Sequence, residues 1–361
     1  MKKSIFLILL ILTIKPLFSQ SVIEKGRISG YMFGDYYYNI TRDTGISNIK
    51  DAVNGGEKNL NGFQFRRIYL TYDNDISEQF VAKFRLEADQ EANTNNGKIG
   101  IQVKDAFLTW KDIFEGSDLT FGIQPTPMFE TSENIWGRRY LEKTIMDLRG
   151  IVSSRDIAIS LRGKTDSKGF FKYWLMIGNG TGNRPEFDKY KRYYLSLQFS
   201  FTNELVMTVG GDYNTRAKTE YSLFPGRQYE NNDFTLSAFL GYNKKDSYML
   251  GIESFINQRE NAIVSNGEVK NNRKFGISAF AGYTLDKKFS LAGRYDYFNP
   301  NENQENLKNS RNLFLFAFEY KPVSKVTISP NILIETYQTD ASGREYTPST
   351  TARLTINYIF L

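Results

Sequence analysis

The chain has 361 residues, 46 Lys and Arg against 40 Asp and Glu for a formal charge of +6, and neither Cys nor His. Without Cys there is no disulfide framework and no thiol chemistry. Without His there is no Ser-His-Asp triad, no His-dependent zinc site and little general-base chemistry, so the composition points away from an enzyme and offers no catalytic residue, metal ligand or cofactor motif.

The first segment, "MKKSIFLILLILTIKPLFSQ", sets two lysines before an apolar run from Ile5 to Ile14 that is too short to span a bilayer as a helix. Residues 1–19 read as a secretory signal peptide, so the mature chain is expected to leave the cytoplasm by the Sec pathway. Removing them takes away Lys2, Lys3 and Lys15 and no acid, which lowers the formal charge to +3. No dense basic face remains to suggest a nucleic-acid partner.

Beyond the signal no apolar run reaches the roughly 20 residues of a membrane helix. The repeated signal is instead a period of two. In "FVAKFRLEAD", Phe80, Ala82, Phe84, Leu86 and Ala88 alternate with Lys83, Arg85, Glu87 and Asp89. Later, Tyr193, Leu195, Leu197 and Phe199 form one face of "YYLSLQFSF"; Tyr248, Leu250 and Ile252 lie opposite Gly251 and Glu253. Phe289, Leu291, Tyr295 and Tyr297 oppose Arg294 and Asp296, and Leu354, Ile356, Tyr358 and Phe360 oppose Arg353, Thr355 and Asn357. Sixteen strands follow, at 27–40, 63–73, 79–90, 99–110, 118–125, 154–163, 170–178, 189–202, 204–215, 233–243, 247–258, 273–284, 288–298, 311–321, 325–338 and 349–361, with a helical turn or two near 131–147.

The connections alternate between short ("NDISE", "KTDSKG", "NKKD", "LDKK", "KPVSK") and long (41–62, 126–153, 215–232, 259–272, 299–310). Alternating faces, alternating connection lengths and an export signal together predict an all-β transmembrane up-and-down antiparallel β-barrel of about 16 strands in the outer membrane of a Gram-negative bacterium. A secreted β-sandwich is the alternative that would also cover so much apolar face. Tyr358 and Phe360 give the aromatic last strand that the barrel-assembly machinery reads in such proteins. Tyr72, Trp110, Tyr358 and Phe360, near strand ends, suit an aromatic girdle against membrane lipid.

Several stretches, in order along the mature chain, resemble the phosphate-selective porin O and P family: "FQFRRIYLTYDNDISEQFVAKFRLEAD", "KDAFLTW", "LTFGIQPTPMFE", "SSRDIAISLRG", "IGNGTGN" and "RYDYFNPN". The resemblance implies a barrel that is usually a homotrimer, with its third external loop, here 126–153, folded into the lumen as a constriction. That loop carries Arg138, Arg139, Lys143 and Arg149 among Glu130, Glu133, Glu142 and Asp147. Four bases balanced by four acids depart from the lysine-rich pores of the phosphate-specific members. Pore-lining wall positions are expected at Arg67, Lys83, Arg85, Glu87, Asp89, Arg192, Glu253, Arg294, Asp296 and Arg353, because a charge facing lipid at mid-membrane costs about 2–4 kcal/mol. Each of these could tune ion traffic or simply ladder with its neighbours. The expected function is passive diffusion of small polar solutes or ions, including anions such as phosphate. The alternative is a structural or adhesive barrel whose external loops bind a partner.

Overall fold

A computed structural model describes residues 26–46, 56–93, 96–265, 267–302 and 309–361. The signal-peptide segment 1–19 lies outside the described residues, as does part of the connection 41–62. In chain order the strands are β1 (Gly26–Thr41), β2 (Asn61–Asp75), β3 (Phe80–Asn93), β4 (Ile99–Phe114) and β5 (Ser117–Pro125). Two short helices follow, α1 (Glu130–Trp136) and α2 (Ile145–Leu148), then β6 (Arg155–Lys164), β7 (Phe171–Gly178), β8 (Arg192–Ser200) and β9 (Leu205–Asn214). A two-residue pair, β10 (Thr219–Glu220) and β11 (Gln228–Tyr229), precedes β12 (Asp233–Lys244), β13 (Tyr248–Ser265) and β14 (Glu268–Thr284). The chain ends with β15 (Phe289–Asn299), β16 (Arg311–Val323), β17 (Val326–Tyr337) and β18 (Ser349–Ile359).

All strands except β10 and β11 join in one closed sixteen-stranded antiparallel barrel, each paired to its neighbour in sequence. β1 closes on β18 with Tyr31 opposite Ile359 and Tyr38 opposite Ala352, and the Phe360 N–H donates to the Gly30 carbonyl at 3.0 Å. Closure removes the sheet edges that a bilayer could not satisfy. The strand number is the one expected from the sequence, and short turns alternate with long connections except at β3–β4 and β13–β14, which are also closely joined. β13 and β14 extend past the expected ends: Ile263 pairs with Lys270 and Ser265 with Glu268, inside what connection length alone marks as loop. The connection 215–232 likewise contains the β10–β11 ribbon, where Tyr221 and Phe224 both pack edge-on against Tyr229.

Period two sorts the side chains by medium. Outward-facing Ile101 is 71% exposed and Phe121 66%, while inward-facing Glu87, Asp89, Asp105, Asp296 and Glu319 are buried. The polarity of a soluble protein is inverted, as lipid contact requires. The interior is nonetheless not polar throughout. From β12 to β17 the inner face carries Phe239, Met249, Phe255, Phe280, Leu313, Leu315 and Leu333, all buried.

Candidate functional site

That inner apolar wall is covered by the connection between β5 and β6. α1 ends on Gly137, whose φ of 58° and N–H bond to the Glu133 carbonyl at 2.9 Å turn the chain out of the helix. Residues on both sides of this turn reach the wall. Trp136 packs against Phe280 with ring centroids 5.2 Å apart, and Trp136, Leu141, Phe239, Met249 and Leu315 form one buried cluster. Met128, Phe129, Ile145 and Met146 form a second with Met176, Phe255 and Phe298. The segment thus reaches across the interior from the β5 edge to the inner faces of β12 through β17.

Polar ties fix its position. The Arg138 Nε donates to both Glu319 carboxylate oxygens at 3.1 Å, and the Tyr140 hydroxyl and Ser290 Oγ donate to the same group. Arg149 pairs with Glu335 at 2.8 Å with side chains 1% and 0% exposed, and the guanidinium carbon lies 5.3 Å above the Phe298 ring. The Ile145 N–H donates to Glu253 at 3.1 Å. Arg294, held by Asp296 at 2.5 Å, donates to the Lys143 carbonyl. Arg353 donates to the Leu141 carbonyl at 3.3 Å and pairs with Glu142 at 3.4 Å. Burial alone would raise the Glu142 carboxyl, but Arg353 and Arg66 outweigh it and hold the pKa at about 2.

Three groups of candidate residues therefore separate. Arg138, Arg149, Glu142, Glu253, Arg294, Asp296 and Arg353 meet between the crossing segment and the β13–β18 wall. Lys143, half-buried, sits among them through its carbonyl. Arg192 stands apart, paired with Asp212 at 2.5 Å on β8 and β9. The other wall candidates, Arg67, Lys83, Arg85, Glu87 and Asp89, ladder along β2 and β3. There Arg67 bridges Glu87 (2.5 Å) and Asp89, Arg85 reaches Asp105 at 3.2 Å, and Lys83 makes a half-exposed pair with Asp73 at 3.3 Å.

Between that ladder and the crossing segment lies a polar recess of about 270 Å³. Its wall side presents Arg85, Lys104 and Arg155 with Tyr31 and Tyr69; its loop side presents Glu133, Arg139 and Asp147. Of the eight charged residues named in 126–153, Glu130, Glu133, Arg139 and Asp147 line this recess. Arg139 lies 3.3 Å from Asp147 and 3.7 Å from Glu133. Burial and the neighbouring Asp147 push the Glu133 carboxyl up to about 7, against the pull of Arg139 and Arg155. Tyr31 and Tyr69 face each other at 4.8 Å, and the Arg85 guanidinium lies 5.6 Å over Tyr69.

Strict alternation misses Arg66 and Lys104, and β-bulges explain why. Phe33 pairs with Arg67 and Gly34 with Phe65, so Arg66 is the extra residue in β2. It turns inward beside Arg67, meets Asp35 at 2.5 Å and donates to the Leu141 carbonyl at 3.0 Å. Likewise Arg85 pairs with Asp105 and Leu86 with Val103, which leaves Lys104 as the bulged residue in β4, 2.8 Å from Glu87. Two adjacent charged residues inside an alternating strand, "RR" and "KD", are the available signal.

Comparisons with known proteins agree with this geometry. The barrel is similar to the outer membrane channel DcaP of Acinetobacter baumannii, with a TM-score of 0.65 at 10% identity over 93% of this chain and 97% of that one. It is similar to OmpF of Salmonella typhi, solved with daunomycin, at 0.63, 11%, 93% and 97%. An anion-selective porin from Comamonas acidovorans gives 0.61 at 11%, covering 93% of this chain and 100% of that one. No curated protein sequence matches significantly. The sequence profile of the phosphate-selective porin O and P family matches residues 37–220, about half of the chain and including the entire crossing segment. The chain belongs to that family and is an outer-membrane porin, a channel for solute diffusion.

Proposed function

We propose that small polar solutes and ions, anions such as phosphate among them, cross the barrel on the β1–β6 side, with 126–153 as the constriction. The observation that carries this reading is the placement of the polar recess. The crossing segment seals itself to the apolar β12–β17 wall and leaves charged side chains facing one another across the remaining space. In so narrow a passage the effective dielectric is low, so opposed rings of charge act strongly on a passing ion. The kinship supports assembly as a homotrimer, export by the Sec pathway and insertion by the barrel-assembly machinery.

Planar-bilayer recording across a salt gradient tests the proposal. The purified chain should open conducting channels, and Arg139→Ala should move the reversal potential toward cations. Arg138→Ala, whose partner Glu319 lies on the far wall, should move it less. A reversal potential indifferent to Arg139 would remove the recess from the conduction path.

A further inference from the structure

The charges around the recess do not cancel on either side, and they fail to cancel in opposite senses. On the wall, Arg85 and Arg155 share a single carboxylate, Asp105, which is 1% exposed behind them. Lys104 and Arg67 are balanced by Glu87 and Asp89. The wall therefore shows one excess positive charge, with its acids hidden. On the crossing segment the ratio inverts: Glu133 and Asp147 share the single guanidinium of Arg139. Glu130 is matched one to one by Arg162 at 3.1 Å. The loop side therefore shows one excess negative charge.

Resting on the conduction path proposed above, we infer that the recess is a binding subsite for a small zwitterion of free amino-acid size. The carboxylate would lie against Arg85 and Arg155, and the ammonium against Glu133 and Asp147. Its volume of about 270 Å³ is just below the range of ordinary ligand pockets, which begins near roughly 300 Å³, and so selects a small solute. An inorganic anion satisfies only one of the two faces, and a simple cation only the other. The Tyr31–Tyr69 pair adds an amphipathic floor on which the aliphatic part of such a molecule can rest. Preorganisation favours the site, since Asp105 holds both guanidiniums before any solute arrives.

The test uses three solutes of similar size on the full-length protein in planar bilayers at about pH 8: glutamine, its deamino analogue glutaramate, and 5-aminopentanamide, whose alkylammonium stays charged at that pH. The first carries both charges, the second only the carboxylate, the third only the ammonium. Glutamine should halve the potassium chloride current at a concentration about tenfold below either analogue, the effect of one additional charge-assisted contact. Arg155→Gln and Asp147→Asn should each abolish that advantage by restoring one-to-one pairing on their own side. Equal block by all three, or strongest block by a singly charged analogue, overturns the zwitterion assignment even if the channel conducts. Absence of any potassium chloride current overturns the conduction path itself and the inference with it. The comparison on the unmodified protein decides the matter even if a variant does not fold.

Discussion

Across the barrel interior, β2, β3 and β4 present Arg67, Arg85, Glu87 and Asp105, while β12 to β16 present Phe239, Met249, Phe280 and Leu315. Both walls point inward and both alternate with lipid-facing residues, so the difference is in what each meets. The apolar wall meets Trp136, Leu141 and Ile145 of the crossing segment and becomes a core of the kind found in soluble proteins. The charged wall meets the recess. On the conduction path proposed above, the interior divides its roles: one side holds the crossing segment in place, and the other is left for solute.

The comparison can be broken most forcefully on the apolar side. Trp136→Ala leaves a large void beside Phe280 and strands the Glu142 carbonyl that the indole N–H satisfies at 2.9 Å. A loss of about 3–5 kcal/mol is expected, read as an earlier midpoint in urea unfolding from detergent or lipid, together with a larger and noisier conductance as the segment loosens. An unchanged midpoint would show that the segment is not held by this packing. Next, Arg149→Met leaves Glu335 buried without its guanidinium and should cost about 3 kcal/mol. Adding Glu335→Leu should recover most of it, and no recovery would assign the loss to packing against Phe298 instead.

On the charged side the expected effects concern current rather than stability. Glu133, raised to about 7, is ionised above that pH and neutral below it. It faces Arg139 and Asp147 on its own segment, Arg155 from β6, Glu253 from β13, and Arg85, Lys104, Tyr31 and Tyr69 across the recess. Lowering the pH from about 8 to about 6 removes one negative charge from that set. The reversal potential should therefore shift toward anions, and Glu133→Gln should flatten the shift. A shift of the same size in Glu133→Gln would assign the titration elsewhere. The smallest effect is expected at Lys83, whose pair with Asp73 is open to water: Lys83→Gln should change stability by less than about 1 kcal/mol.

Much of the architecture is legible in the sequence. Period two marks the strands, because in a membrane barrel each residue faces either lipid or interior, and Phe84, Leu250 and Ile356 could only face lipid. Connection lengths mark the topology. The division of the interior is harder to see, although "LFLFAF" at 313–318 lacks alternation. A strand apolar on both faces needs a partner inside, and the crossing segment that supplies one lies far earlier in the chain. The candidate site is half legible for the same reason. Charge type locates Arg138 and Arg139 together, but they are adjacent in sequence and turn to opposite sides, Arg138 to Glu319 and Arg139 to Asp147. Nothing local to the pair distinguishes them.

The bulges at Arg66 and Lys104 carry a consequence for how such channels diversify. An ordinary one-residue insertion into a strand swaps every later side chain between oil and water, which no barrel could survive. Here the extra residue is absorbed locally, since Phe65 and Arg67, like Val103 and Asp105, keep the orientations they would have without it. Deleting Lys104 would subtract one cation from the recess, and deleting Arg66 one from the anchorage of the crossing segment, with the outward-facing residues keeping their side. Lineages can therefore retune the internal charge of the tube in unit steps, by insertion and deletion as well as by replacement.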